Sequence, residues 1–224
     1  MDCCITLTFQ QSVFARRTYG EDYRFACRIY AGCSTGQAAG GSCPKRKKSH
    51  LDSLAAIVSG STLKPGQLGL QHAREQGGTE ECSVLGSSLK TTPIVAAFAN
   101  GMSGHADETD DSNSQLHPGC AIVPAALAMA ESQNSSGDAL LRAVILGYDI
   151  GFRFHQAFEP RSTSFGATFG TAAAAGALAE LADLQLRYLI SYAAQQASGS
   201  RAWVGDDDHI EKLSTTRACP RATE

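Results

Sequence analysis

The segment GHADETDDSNSQLHPG, residues Gly104–Gly119, concentrates side chains that can transfer protons or bind cations. It holds four acidic residues and two histidines within sixteen positions. Histidine and carboxyl groups suit acid–base catalysis, and the same groups can ligate a divalent metal. A solvated acidic loop is the third interpretation, and it would be favoured for a polar segment considered in isolation.

A metal site in this segment would need a complete set of ligands. The residues that could supply one are Asp107, Asp111 and His117. Polar loops with acids and a histidine are common, whereas full coordination sets are rare. We therefore predict that the segment holds no metal.

The eight cysteines form neither a metal-binding nor a disulfide pattern. None occurs in a C-x-x-C pair, and no histidine follows at zinc-finger distance, so the sequence predicts no structural zinc site. Five of the eight lie in the first 43 residues, whereas a disulfide framework would spread them through the fold. We therefore expect free thiols and a reducing compartment.

The composition indicates a globular chain that binds neither nucleic acid nor a membrane. Of its 224 residues, 43% are hydrophobic and 18% charged, and the formal net charge is −3. This charge gives no electrostatic attraction to nucleic acid or anionic lipid. The longest apolar segment, Cys120–Ala130, is shorter than the ~20 residues of a membrane span.

We expect a cytoplasmic location for the protein. Mitochondrial import is the alternative, because the N-terminal stretch carries Arg16 and Arg17 and few acids.

The N-terminal part of the chain differs from the rest. Residues 1–48 show no sustained hydrophobic period, and the Gly-, Ser- and Cys-rich stretch 31–49 predicts loop or disorder. Beyond it, apolar residues at helical spacing predict the first helix, at positions Leu51, Leu54, Ile57 and Val58.

Helices are also predicted on both sides of a short extended piece at 81–88. One starts at Pro65 and ends before the Gly77-Gly78 pair. The next starts at Pro93 with Thr92 as its N-cap and leads into the acidic segment.

The second half of the chain predicts long, closely packed helices. Residues 135–158 place one broad apolar face on a helix, formed by Leu141, Val144, Ile145, Tyr148 and Phe152. A narrow polar stripe runs opposite, formed by Arg142, Asp149 and Arg153. The Ala- and Gly-rich stretch 165–199 allows close helix approach. The predicted fold class is therefore all-α, a helical bundle with few or no strands.

Six blocks, taken in order, resemble the MmgE/PrpD family, which includes 2-methylcitrate dehydratases and cis-aconitate decarboxylases. They are LDSLAAIVSGS, AAFANGMSGHADETDDS, HPGCAIVPAALAMAE, LLRAVILGYDIGFR, TFGTAAAAG and SYAAQQASGSRAWVGDDDHIEK. The resemblance divides the chain into an atypical, poorly ordered segment at 1–48, a helical domain at 49–212 and a divergent tail at 213–224.

The resemblance implies a large all-α domain, a smaller α+β lid, and an active site in the cleft between them. Members act on small tricarboxylates, are usually dimers, and in the decarboxylase branch use no metal or organic cofactor. Because whole members are roughly twice as long, we expect this chain to correspond to part of the helical domain, with the lid absent. Helix faces without their partners would then expose apolar surface and promote dimerisation or aggregation.

The resemblance also assigns roles within the acidic segment. It implies that Glu108, Ser112 and His117 line the substrate cleft as catalytic residues, with His117 in proton transfer or carboxylate binding. Asp107 and Asp111 are the neighbouring substrate-binding candidates.

A second cluster, DDDHIEK at 206–212, ends in a lysine. By resemblance, Lys212 reaches a substrate carboxylate. An exposed charged turn with an ordinary surface lysine is the alternative interpretation.

Three departures from the family pattern stand out. Relatives place a histidine before the TFGTAAAAG block, whereas this chain has Arg161 there. His155 lies six residues earlier, and a packed side chain is a better interpretation of it than a catalytic one. Asn113 replaces a further histidine found in many relatives. The Gly-containing turn near residue 182 is shortened, so two helices could fuse or meet awkwardly.

The sequence therefore predicts a lyase of the MmgE/PrpD type that dehydrates or decarboxylates a small polycarboxylate, in a truncated form of weak or absent activity. A non-catalytic fragment that acts as an interaction module is the alternative.

Overall fold

A computed structural model describes residues 44–106, 109–111, 116–158 and 164–197. These residues form seven α-helices and one antiparallel hairpin, which confirms the predicted all-α class. The helices are α1 (Pro44–Gly60), α2 (Lys64–Gln76), α3 (Pro93–Gly104), α4 (Gly119–Ser132), α5 (Gly137–Phe158), α6 (Phe165–Leu178) and α7 (Asp183–Gln196). The strands are β1 (Cys82–Ser83) and β2 (Lys90–Thr91).

Helix α4 is the central element of the bundle. It packs against α1, α3, α5 and α6, and half of its residues are buried. One apolar cluster joins α4 to α5 and α6 around Ile122, Val123 and Val144. A second joins α5, α6 and α7, and a third joins α2, β1, α3 and α4. Because α4 begins at Gly119, the end of the acidic segment is fixed by the central helix of the bundle.

Polar side chains of α3 and α4 attach the β1–β2 hairpin to the helices. The Glu131 carboxylate accepts hydrogen bonds from the backbone N–H and the hydroxyl of Ser83, both at 2.8 Å. The Asn100 side chain accepts from the Leu85 N–H at 2.8 Å and donates to the Ser83 carbonyl at 2.9 Å. The short extended piece predicted at 81–88 therefore contains a strand, but the strand covers only Cys82–Ser83 and most of the rest of the piece forms the turn of the hairpin.

Helices α5 and α6 approach each other more closely than side chains would allow. A Cβ at Gly147 would lie 2.8 Å from the Gly170 carbonyl oxygen, and a Cβ at Gly151 would lie 3.1 Å from that of Gly166. Each helix thus presents two glycines four residues apart to the other. The close approach expected for the Ala- and Gly-rich stretch is confirmed here.

The apolar face predicted for the long helix is only partly right. Val144 is buried, but Leu141, Ile145, Tyr148 and Phe152 are only partly buried. The most buried stripe is formed instead by Ala143, Val144, Leu146, Gly147, Ile150 and Gly151. The small residues of α5 face α6, because larger side chains would not fit where these two helices pack so closely. In the predicted polar stripe, Arg153 donates to Asp149 at 2.8 Å.

The predicted loop over residues 31–49 is wrong for its last six positions. Helix α1 begins at Pro44, where the fixed proline φ suits a first helical turn. Lysine and arginine, which fill 45–48, are good helix formers. Thr92 occupies the N-cap position of α3 as predicted, although its side chain makes no capping hydrogen bond.

Helices α6 and α7 do not fuse, so the first of the two outcomes expected at the shortened turn, fusion or an awkward meeting, is wrong. Glu180 adopts a left-handed conformation with φ 50°, and its N–H donates to the Ala177 carbonyl. The Leu181 N–H donates to the Gly176 carbonyl, which completes a Schellman motif. The short turn therefore ends the helix with a glutamate where glycine is usual.

Several large apolar side chains are exposed, as the sequence predicted. On α7 they recur every four residues, at Leu184, Tyr188 and Tyr192, each more than half exposed. On α3 they are Ile94 and Phe98. Within the described residues, no helix has the length and apolar character needed to cross a membrane.

Candidate active site

The acidic segment connects the end of α3 to the start of α4. His105 follows the last residue of α3, and Pro118 is the N-cap of α4. At Gly104 the chain lies close to Ile57 of α1 and Cys120 of α4, so three helices meet at this point. The segment is thus held at both ends by packed helices rather than hanging free as a surface loop.

Asp110 is the centre of one group of titratable side chains. Its side chain is fully buried, and its Oδ1 lies 2.9 Å from Nδ1 of His105 and 3.5 Å from Nδ1 of His117. An ionised carboxylate can only accept, so the His105 Nδ1–H donates to it. The two imidazole rings meet edge to face with centroids 5.0 Å apart. One carboxylate oxygen therefore faces both histidines.

The surroundings of Asp110 favour its charged form. Burial alone would raise the pKa of its carboxyl group, but the hydrogen bond from His105 and the charges of the two histidines outweigh burial. The pKa of Asp110 consequently lies below its ordinary value. The second carboxylate oxygen has no hydrogen-bond partner among the described residues.

Cys120 adds a thiol to the same group. It lies in the first turn of α4, and its Sγ donates to the backbone carbonyl of His117 at 3.4 Å. Burial raises the pKa of the Cys120 thiol, and the nearby Asp110 charge acts in the same direction, whereas a hydrogen bond with His105 and the charge of His105 oppose them. The side chain therefore remains a thiol rather than a thiolate nucleophile.

Asp111 belongs to a second, adjacent group. A Cβ at Gly119 would clash with Oδ1 of Asp111 and Oγ of Ser53, and would lie 3.1 Å from the hydroxyl of Tyr148. The Ser53 and Tyr148 hydroxyls are 3.5 Å apart. Glycine at the start of α4 thus leaves room for a carboxylate and two hydroxyls, which come from the segment, α1 and α5.

Two of the six predicted site residues fall within the described structure. His117 lies in the Asp110 group, and Asp111 lies in the Gly119 group. Asp107, Glu108, Ser112 and Lys212 lie outside the described residues. The metal set considered from the sequence cannot be assembled from described residues, since it includes Asp107.

The sequence did not single out His105, Asp110, Cys120, Ser53 or Tyr148 as site residues. His105 and Asp110 were visible within the acidic segment, but nothing in the spacing indicates which acid becomes buried. Ser53 and Tyr148 are far apart in sequence and meet only because α1, α4 and α5 pack together.

His155 behaves as a packed side chain, as interpreted from the sequence. It is partly buried on α5, where burial lowers the pKa of its imidazole. Its Nδ1 has no hydrogen-bond partner among the described residues.

Comparison with known proteins identifies the family of the chain. A model of the MmgE/PrpD N-terminal domain matches residues 43–224. Human cis-aconitate decarboxylase is 28% identical over 172 residues, which cover 70% of this chain and 36% of the relative. The chain thus spans little more than a third of that relative's length. Because the family model matches most of the sequence, the chain belongs to the MmgE/PrpD family.

Proposed function

We propose that the acidic segment forms one wall of a lyase active site that acts on a small polycarboxylate. The reaction is dehydration of a 2-methylcitrate-like substrate or decarboxylation of a cis-aconitate-like substrate. Family membership and the name of the human relative support this class of reaction. The observation that carries the proposal is the position of His117, beside a buried, ionised Asp110 at the start of the central helix.

Both reactions need a group that moves a proton at carbon. Dehydration requires a base that removes a proton next to a carboxylate and an acid that protonates the departing hydroxyl. In decarboxylation the electron pair of the broken C–C bond stays on the substrate. A proton donor then protonates the substrate carbon that receives this electron density, as CO₂ leaves. His117 can serve either reaction, because an imidazole ring can both accept and donate a proton.

The remaining predicted residues take complementary roles in this proposal. Glu108 is the second proton-transfer group, and the hydroxyl of Ser112 binds a substrate carboxylate. Lys212 pairs with another carboxylate. Asp107 and Asp111 accept hydrogen bonds from substrate hydroxyl or carboxylic acid groups.

The substrate is a free small molecule, and we propose that the protein works as a homodimer. The exposed apolar side chains on α3 and α7 support self-association.

The test is product formation from cis-aconitate and from 2-methylcitrate by the full chain and two variants. His117→Gln removes the proton-transfer group and should lower the rate by a factor of about 10² to 10⁴. His72→Gln is the matched control, since His72 lies on α2, outside both groups, with its ring against Phe98. It should leave the rate unchanged.

The outcomes distinguish the parts of the proposal. Equal rates for the His117 variant and the unaltered chain would contradict the role of His117. If the chain neither turns over nor binds either tricarboxylate, measured by calorimetry, the lyase proposal is wrong for this chain. A non-catalytic interaction module would then be the better description.

A further inference from the structure

We propose that His105, Asp110 and Cys120 form a binding site for a divalent transition metal of the zinc type. This set shares no residue with the one considered in the sequence, because a different histidine, a buried acid and a thiol take the place of Asp107, Asp111 and His117. The site requires only described residues, and its test does not depend on the proposed lyase activity.

The geometry brings the ligand atoms close to a coordination shell. One nitrogen, one oxygen and one sulfur atom from His105, Asp110 and Cys120 lie within 4.8 Å of one another. Tetrahedral zinc, with bonds of about 2.0–2.3 Å, separates its ligand atoms by about 3.3–3.8 Å. Oδ1 of Asp110 lies 2.9 Å from Nδ1 of His105, slightly below that range, so the two atoms could share a metal ion after separating by about 0.4 Å.

An unsatisfied atom of the cluster points to a ligand. Oδ2 of Asp110 is buried and has no hydrogen-bond partner among the described residues. Buried polar atoms without partners are costly and uncommon. A cation would satisfy this atom, and it would compensate the charge of a carboxylate whose side chain is fully buried.

The donor set also selects the kind of metal. Imidazole and thiolate ligands favour Zn²⁺ and Co²⁺, whereas Mg²⁺ and Ca²⁺ prefer shells made wholly of oxygen. On binding, Cys120 loses its thiol proton to solvent, and the His105 proton moves from Nδ1 to Nε2. Metal binding is therefore coupled to proton release and strengthens as the pH rises.

The experiment is a Co²⁺ titration of the full chain, with a reductant that does not bind metal, followed by optical absorption. A thiolate ligand produces a sulfur-to-cobalt charge-transfer band in the near ultraviolet, with d–d bands in the visible if the site is tetrahedral. We expect this band to saturate with one equivalent bound to Cys120. Zn²⁺ should abolish it, and excess Mg²⁺ should not.

Matched variants assign the band to its ligand. Cys120→Ser should remove that equivalent, whereas Cys82→Ser should retain it, because Cys82 is a buried free thiol in β1. Cobalt bound by the other cysteines is common to all three proteins, so the difference spectra isolate Cys120. Circular dichroism verifies that each variant is folded.

A second pair of variants tests the remaining ligands without removing a thiol. His105→Gln and Asp110→Asn should each weaken Co²⁺ binding by at least about tenfold. A charge-transfer band that is unchanged in Cys120→Ser would overturn the proposal, and so would the absence of a saturable band in the unaltered chain. Full affinity in both His105→Gln and Asp110→Asn would also exclude the site.

Discussion

The Asp110 carboxylate is fully buried, and one of its oxygens faces two imidazole rings. Withdrawing a charge from water is costly unless hydrogen bonds and opposite charges replace the lost hydration. The hydrogen bond from His105 supplies the larger part of that replacement, which is why the pKa of Asp110 lies below its ordinary value despite burial. Its ionised form therefore contributes to the stability of the fold.

Replacing Asp110 with asparagine should destabilise the protein at pH 7. The variant loses a hydrogen bond to a charged group, so the free energy of unfolding should fall by about 1.5–3 kcal/mol. A carboxyl group whose pKa is lower in the folded than in the unfolded state stabilises the fold at pH values above its unfolded pKa, about 3.9. This stabilisation disappears as the pH falls through the folded pKa. The deficit of Asp110→Asn should therefore shrink below about pH 4. Urea unfolding at a series of pH values measures it.

Asp149→Asn is the control for this prediction. Asp149 pairs with Arg153 at 2.8 Å, but both side chains are more than a third exposed. Exposed pairs contribute less than about 1 kcal/mol, so the control should lose little. Equal losses in the two variants would show that burial of Asp110 is not the source of its effect.

The mixture of acids and histidines at 104–119 directed attention to the segment that contains Asp110. His117, predicted as a catalytic residue, lies beside Asp110, and its catalytic role stays a prediction. The sequence did not distinguish Asp110 from the other three acids of the segment, because which acid becomes buried depends on how α3 and α4 are oriented. Cys120 was counted among unremarkable free thiols, because a thiol's neighbours come from other helices.

Glycine pairs determine how closely two elements of the bundle approach. A Cβ at Gly170 would collide with the backbone carbonyl of Gly147 and lie 2.7 Å from Cδ1 of Ile122. No flexible side chain can move aside to relieve the contact with a carbonyl group. The α5–α6 distance would have to increase at the centre of the core.

Gly170→Ala should therefore destabilise the protein, although alanine is the better helix former by about 1 kcal/mol. Overpacking should lower the free energy of unfolding by about 1–3 kcal/mol. The control is Gly137→Ala, because a Cβ at Gly137 meets nothing within 4 Å. It should be neutral or slightly stabilising. The midpoints of urea unfolding compare the two, and similar shifts in both variants would refute the packing argument.

Helix positions were more predictable than helix faces and helix ends. Pro65 and Pro93 predicted the starts of α2 and α3 to within one residue. Proline is accepted in the first turn of a helix but not in its interior, so its position indicates where a helix begins. The buried face of α5 was misjudged, since hydrophobicity ranks Leu and Ile above the Gly and Ala that a close neighbour requires. The turn at Glu180 was missed because glycine, its usual residue, is absent.

The whole molecule leaves apolar side chains uncovered. The stripe Leu184, Tyr188 and Tyr192 lies along one side of α7, and each side chain is more than half exposed. Contiguous apolar surface in water promotes association. Family membership was predictable from the order of six blocks along the chain, whereas this surface depends on which faces the bundle leaves without a partner.

Adding charge to the α7 stripe should reduce self-association. We expect Tyr188→Lys and Tyr192→Lys together to shift the protein toward monomer at a given concentration, because two cations on one face oppose its burial. Gln76→Lys, at an exposed polar position at the end of α2, is the control and should have little effect. Sedimentation velocity over a concentration series measures the distribution. An unchanged distribution in the double variant would exclude this face as a site of association.

The glycine-lined contact of α5 with α6 also bears on the order in which the chain folds. The two helices are consecutive, so their contact closes only the short connection from Phe158 to Phe165, whereas the contact of α1 with α4 closes the much longer connection over residues 61–118. Short loops cost less entropy to close, and local contacts form sooner. We expect pulse-labelling hydrogen exchange to show amides of α5 and α6 protected before those of α1. A side chain inserted between these helices would then slow folding itself, rather than only hastening unfolding.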